Sequence, residues 1–310
     1  MTQFNTPVLF LIFNRPDTAQ KVFEVIREIK PKYLFIAADG PRKNKPDDIQ
    51  KCKETRNIVE QIDWDCELKT LFRDENLGCG KAVSSAITWF FDNVEEGIIL
   101  EDDCLPHLSF FPYCEELLER YRRNDRVMSI SGSILYSNVA PSNISYYFSA
   151  YTRIWGWATW KSTWQKYIYD VNDIPEKQIE QSLKYCFRNG KIRRFWFWIF
   201  YLMRKHKIDT WDYQLFFSIL INGGLSTIPR KNMISNIGFK GNATHTFDFN
   251  SIAGDLPTFD IGTLIHPSEI KRCINADEYY FIEAKHILSK TSFLNQYIRS
   301  QIKAILKLQK

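Results

Sequence analysis

The residues best suited to chemistry in this chain are the acidic triplet Glu101-Asp102-Asp103, which follows directly on the apolar run Ile98-Ile99-Leu100. Carboxylate oxygens are the ligands of a hard divalent cation such as Mg2+ or Mn2+, and such a cation usually keeps part of its shell for a substrate phosphate. One or two carboxylates at a strand end could bridge the ion to a diphosphate, which leaves more readily once its charge is neutralised. Alone, three acids in a row describe a solvated loop as readily as a ligand set. The apolar segment before them favours the ligand set, because it makes them the first residues beyond a buried strand.

Other groups of useful type stand at similar places. Asn14-Arg15 closes the apolar run Val8 to Phe13, and Asp39 closes the run Tyr33 to Ala38. A guanidinium can grip phosphate through two parallel hydrogen bonds, and a carboxylate can accept from a ribose hydroxyl or a base N–H. Asp39-Gly40-Pro41 is also a plain turn sequence. Arg73 and Lys81 add cations near the same places, each also readable as a solvated surface charge. The segment Trp155-Gly156-Trp157, with Trp160 and Trp164 after it, offers flat aromatic surfaces for the apolar C–H faces of a sugar; core packing uses tryptophan equally well. Asp212 is a candidate general base for an acceptor hydroxyl, or else the N-cap of the helix that starts there. His245 is a candidate phosphate or metal contact, or a loop histidine.

The elements that must position these residues alternate. Val8–Phe13, Tyr33–Ala38, residues 66–72 and Ile98–Leu100 carry strand patterns, the continuous apolar ones being those of strands covered on both faces. Helical stripes lie between them: Val22, Phe23, Ile26 and Ile29, then Ile49, Cys52, Val59 and Ile62, then Val83, Ala86, Ile87, Phe90 and Phe91 after Gly78-Cys79-Gly80. Strands and helices in this order imply right-handed crossovers and a mostly parallel sheet with helices on both faces. Ligands bind such sheets beyond the carboxyl ends of the strands, so Arg15, Asp39, Arg73 and the triplet are expected on one rim. Further on come a helix near 110–121, a strand at 127–131, the aromatic segment 146–164 and a strand near 225–229.

Composition narrows the class. The 310 residues are 45% hydrophobic and 25% charged with a formal charge of +5, an ordinary globular balance without the basic excess of a nucleic-acid binder. Seven cysteines, an odd number with no Cys-x-x-Cys pair, argue for reduced thiols in a cytoplasmic setting and against a disulfide framework or a zinc site. Neither the run at Val8 nor that from Phe195 to Met203 is long enough to span a bilayer.

The order Asn14-Arg15-Pro16, Asp39-Gly40, Glu101-Asp102-Asp103, Trp155-Gly156-Trp157, Trp211-Asp212 and Asn236-Ile237-Gly238 resembles glycosyltransferases of the GT-A fold. The nearest likeness is to the N-acetylglucosaminyltransferase I type and its bacterial relatives, over roughly residues 7–247. The resemblance implies a Rossmann-like nucleotide-diphospho-sugar transferase fold, with a nucleotide-sugar half over 1–105 and an acceptor-side half over 106–250. It implies Asp103 as the main protein ligand of Mn2+ or Mg2+, with Glu101 and Asp102 on donor sugar and ribose. Arg15 and Asp39 would hold uridine diphosphate, Asp212 would act as base in a single inverting displacement, and the Trp155-Gly156-Trp157 loop would wall the sugar and acceptor; Asn14 stands beside them as a donor-site candidate by position. The donor would be a UDP-sugar and the acceptor an oligosaccharide or lipid-linked sugar, as in bacterial surface-polysaccharide or lipopolysaccharide synthesis. A sugar nucleotidyltransferase, and a non-catalytic nucleotide- or carbohydrate-binding protein on the same fold, are the alternatives. The remaining stretch, 251–310, reads as an extension. Its last part puts Leu294, Ile298, Ile302 and Ile305 on one helical face beside Arg299, Lys303 and Lys307, which suits either peripheral contact with an anionic membrane or docking on the chain's own domain.

Overall fold

The computed structural model describes residues 3–135, 142–238 and 254–281. Its first half alternates as the apolar pattern requires: β1 (Val8–Ile12), α1 (Pro16–Ile29), β2 (Tyr33–Ala38), α2 (Asp47–Arg56), β3 (Glu67–Phe72), α3 (Cys79–Phe91) and β4 (Glu96–Glu101). There follow β5 (Cys104–Pro106), α4 (Phe110–Tyr121), β6 (Val127–Ser131), β7 (Tyr146–Ser149), β8 (Trp157–Trp160) and the single turn α5 (Lys161–Trp164). Three helices, α6 (Glu176–Cys186), α7 (Gly190–Arg204) and α8 (Asp212–Ile221), precede β9 (Leu225–Pro229) and β10 (Ile234–Asn236).

Eight strands form one sheet in the order β3-β2-β1-β4-β8-β6-β9-β7. The pairs β3–β2, β2–β1, β1–β4 and β6–β9 are parallel, while β8 runs antiparallel to both β4 and β6, and β7 antiparallel to β9. Six strands therefore point one way and two the other. This is the expected mixed α/β fold with a central, mostly parallel sheet flanked by helices.

Alternation along β1 shows why both faces are covered. Val8, Phe10 and Ile12 join Phe23, Phe110, Phe111 and Leu117 in one apolar layer. Leu9 and Leu11 join Ile87, Phe90, Ile99 and Leu215 in the other. The sheet continues without a break across residue 105, since β8 and β6 extend the edge that β4 would otherwise leave open.

A third apolar cluster lies between α6, α7 and α8, where Ile179, Leu183, Trp196, Phe200, Phe216 and Phe217 pack together. Residues 186–207, whose role the sequence alone does not define, are thus largely a helix of this cluster. Residues 274–281 form one more helix. It is pinned by Asp277, which is 1% exposed and accepts hydrogen bonds from Arg272 Nε at 2.5 Å, Ser149 Oγ at 2.5 Å and Ala150 N–H at 3.0 Å. The Arg272 guanidinium also donates to the carbonyl of Cys186 and lies 4.9 Å from the Phe187 ring. The pair therefore ties the sheet edge, α6 and the last described helix together. The basic amphipathic segment from Leu294 to Lys307 lies outside the described residues.

Removing one member of a buried ion pair leaves the other charge uncompensated, which costs roughly 3–5 kcal/mol. Asp277→Ala is expected to lower the unfolding free energy by about that amount in urea denaturation; a loss below about 1 kcal/mol would show that Arg272 finds other partners.

Candidate active site

Parallel pairing between β1 and β4, with Leu11 opposite Glu101, brings the residues after both strands side by side. Phe13 N–H donates to the Asp102 carboxylate at 3.0 Å. The Arg15 guanidinium lies 2.6 Å from Asp103 Oδ2 and 3.6 Å from Asp102 Oδ1. Arg15 immediately precedes α1, whose start is fixed by Pro16. The structure thus brings Arg15, Glu101, Asp102 and Asp103 together at one strand end.

Among the described residues, carboxylates outnumber cations at the site. Burial pushes the Asp102 carboxyl up to about 7, Arg15 opposing the rise and Asp103 adding to it. Glu101 is pushed well above the usual carboxylate range, first by burial and then by the charges of Asp103, Asp102 and Asp212. The thiol of Cys79, at the start of α3, rises to about 12 through burial and through Glu101, Asp212, Asp209 and Asp103. Five carboxylates therefore converge on a region where Arg15 is the cation in contact with the triplet.

Asp212 is the first residue of α8; the cap position is Trp211, which makes no capping side-chain bond. The Thr210 hydroxyl donates to Asp212 Oδ1, and the Thr210 carbonyl accepts from Gln214 Nε2 at 2.6 Å. The preceding Asp209 accepts from Gly80 N–H at 3.2 Å. Gly80 and Gly78 permit this approach: a Cβ on Gly80 would lie 2.5 Å from Asp209 Oδ1, and Gly78 has φ +79°. The glycine pair opening α3 is therefore where the loop before α8 docks. The sequence shows Gly78-Cys79-Gly80 only as the turn that opens a helix, and its partner, Asp209-Thr210, carries no motif.

Asn236-Ile237-Gly238 also reaches the site. Strand β10 pairs antiparallel with β5, Asn236 opposite Cys104. Ile237 N–H then donates to the Asp103 carbonyl at 2.8 Å, and Gly238 leaves no room for a Cβ beside the Asp103 carboxylate. His245 lies outside the described residues.

Asp39 sits on the same rim but is already occupied. Its carboxylate accepts from Gly40 N–H at 2.9 Å, Leu77 N–H at 3.0 Å and Asn76 Nδ2 at 2.8 Å, tying the loop after β3 to the end of β2. Burial raises its pKa against the pull of the Leu77 and Gly40 amides. Arg73 follows β3 and donates to Ser85 Oγ at 2.7 Å, and Lys81 is exposed on the first turn of α3. Asn14 donates to Asp48 Oδ1 at 2.8 Å, and Arg42 holds Asp48 through bonds of 2.6 and 3.0 Å. Asp48 and Arg42 went unremarked in the sequence because their stretch, rich in Lys and Asp, has the composition of a solvated loop.

At Trp157 the structure departs from the expected sugar wall. Trp157 is fully buried and stacks on Trp211, with centroids 5.7 Å apart and planes at 27°. Strand β8 lies between β4 and β6, inside the sheet, so helices cover its side chains. Trp155 is partly buried against the first apolar layer. Gly156 has φ +58° and packs against Ile234 and Leu100 with no space for a Cβ. Trp157 is therefore core beneath the site and Gly156 a backbone contact.

A hard cation needs only one or two protein carboxylates when water and diphosphate supply the remaining ligands. Among the described residues no three His, Cys, Asp or Glu side chains form a ready-made metal cage. The Asp103 carboxylate, an oxygen ligand with Glu101 and Asp102 beside it, fits a cation of that kind sharing its shell with a substrate.

No protein-family model matches the sequence, and no curated protein matches it. Among solved structures, the chain is similar to mouse xyloside xylosyltransferase 1 at 10% identity and TM-score 0.34, covering 70% of this chain and 81% of that one. It is similar to HddC from Yersinia pseudotuberculosis at 10% identity and TM-score 0.32, covering 51% and 77%. For a UDP-glucose pyrophosphorylase complexed with UDP-glucose the figures are 15%, 0.27, 48% and 64%, so this chain spans under two thirds of that protein. Likenesses of that depth say nothing about this chain's chemistry.

The Asp48 carboxyl is held at about 2, mainly by the Arg42 hydrogen bond working against burial. A depressed pKa stabilises the fold above the unfolded value near 4, and that stability is lost as pH falls through about 2. Asp48→Asn is expected to cost on the order of 2 kcal/mol in urea unfolding at pH 7 and visibly less at pH 3. A difference independent of pH would contradict this.

Proposed function

We propose that the chain is a divalent-metal-dependent glycosyltransferase that takes a sugar from a nucleotide-sugar, with a UDP-sugar as the favoured donor. The observation that carries the reading is the meeting of Arg15, Glu101, Asp102 and Asp103 at the ends of β1 and β4, with Asp212 close enough to raise the Glu101 pKa. A carboxylate cluster held by the Arg15 guanidinium suits a diphosphate that arrives with its own cation. Bound beside Asp103, Mn2+ or Mg2+ would neutralise the departing diphosphate.

The chain's own groups do the rest. Arg15 holds the diphosphate end and orients Asp103. Glu101 and Asp102, pushed toward protonation by burial, present hydrogen-bonding groups to the donor sugar and ribose. Asp212, steadied by the Thr210 hydroxyl, accepts the proton of the acceptor hydroxyl as its oxygen bonds to the anomeric carbon and the bond to the diphosphate breaks. Attack from the side opposite the leaving group inverts the anomeric centre. The acceptor is an oligosaccharide or a lipid-linked sugar, and surface-polysaccharide assembly is the setting we favour.

The reading is tested by UDP release from a panel of UDP-sugars with Mn2+, with GDP- and CMP-linked donors beside them. Asp212→Asn is expected to slow release by about 100-fold or more while donor binding persists. Full activity in that variant would remove Asp212 as the base, and release from none of the donors would overturn the transferase reading.

A further inference from the structure

We propose that the outward face of α7 is a docking surface for an anionic lipid bilayer. Ile192, Trp196, Ile199, Phe200 and Met203 point into the helical cluster and are buried. On the opposite side Lys191, Arg194, Tyr201 and Lys205 are exposed and Trp198 is half-buried. At about 100° per residue these five positions fall within an arc of roughly 80°, one stripe of the helix and the residue just after it. Tyr201 is 49% exposed, and Tyr185 at the end of α6 is 86% exposed, far more than a packed tyrosine would be.

Charge says what the stripe faces. Between Glu180 and Asp209 the chain has no acidic residue and eight basic ones: Lys184, Arg188, Lys191, Arg193, Arg194, Arg204, Lys205 and Lys207. Arg204 is engaged by Glu176 at 3.4 Å, and Arg193 by the carbonyls of Phe187 and Arg188 at 3.0 Å. The Lys205 ammonium lies 5.7 Å from the Tyr201 ring centroid, so the two reach out together. A second copy of the same face would meet it with like charge, which excludes a self-complementary contact. A polyanion would need only the cations. The exposed Tyr201 ring, an apolar body with a polar tip beside Lys205, matches the headgroup layer of a bilayer, and the cations match its anionic lipids. The chain passes from Lys205 to Asp212 through one short loop, so docking would hold the carboxylate site near the lipid surface. The proposal stands apart from the transferase reading, since vesicle binding needs no substrate.

The test is co-sedimentation of the full chain with vesicles of equal parts phosphatidylglycerol and phosphatidylcholine, and with phosphatidylcholine alone, at low salt. The native protein is expected to bind the anionic vesicles and leave the neutral ones. Lys191→Glu/Arg194→Glu/Lys205→Glu should weaken that binding roughly 100-fold or more, and Tyr201→Ser should weaken it with the charge unchanged. Thermal melting checks folding, and Arg194→Gln/Lys205→Gln serves if the triple variant is unstable. Failure of the native protein to bind anionic vesicles would overturn the proposal. So would native-like binding by a folded triple variant, which would move the contact elsewhere on the chain. Preference for a short DNA duplex over vesicles, lost in the same variant, would reassign the face to nucleic acid and equally overturn it.

Discussion

The contact between Arg15 and the carboxylates of Asp102 and Asp103 is the constraint around which the rest is arranged. Two adjacent carboxylates, Asp102 buried and Asp103 partly so, repel each other and resist leaving water, and the guanidinium at 2.6 and 3.6 Å offsets part of that cost. The contact exists only because β1 and β4 are parallel neighbours in the register that sets Leu11 beside Glu101. A one-residue slip would turn Arg15 and the triplet to different faces. The apolar layers on both sides of β1 fix that register, so the core and the site are specified by the same strands.

Around this contact the remaining elements close in from three directions. The Gly78–Gly80 turn accepts the loop carrying Asp209 and Asp212, β10 delivers Gly238 against the Asp103 carboxylate, and the Asn76–Asp39 bonds shut the rim beside β2. Each approach depends on either a glycine with no room for a side chain or a carboxylate satisfied by backbone amides. More negative charge collects than Arg15 offsets. Burial first, and the neighbouring carboxylates after it, make Glu101, Asp102 and Cys79 hold their protons more tightly than usual.

Much of the fold was legible in the sequence because strands buried on both faces show themselves as unbroken apolar runs: Val8–Ile12, Leu34–Ala38 and Ile98–Leu100 all do. The placement of Arg15 and the triplet on one rim followed from the parallel alternation alone. Asp209 and Asp48 were not legible, because their importance comes from hydrogen bonds to Gly80 and to Asn14, distant in sequence, and to Arg42 across a loop of ordinary polar composition. Trp157 stays open between sugar wall and core in the sequence for a related reason. A tryptophan beside a glycine looks like a pocket wall, and only the insertion of β8 between β4 and β6 shows that it is core.

The most direct test of the account is calorimetric titration of the native chain and of Asp103→Ala with UDP, in the presence and absence of Mn2+. The account predicts binding that requires Mn2+ and is lost in the variant, since among the described residues a single guanidinium faces five carboxylates and a diphosphate needs the cation to join them. Binding of UDP that is indifferent both to Mn2+ and to Asp103, or no binding under any of these conditions, would contradict it.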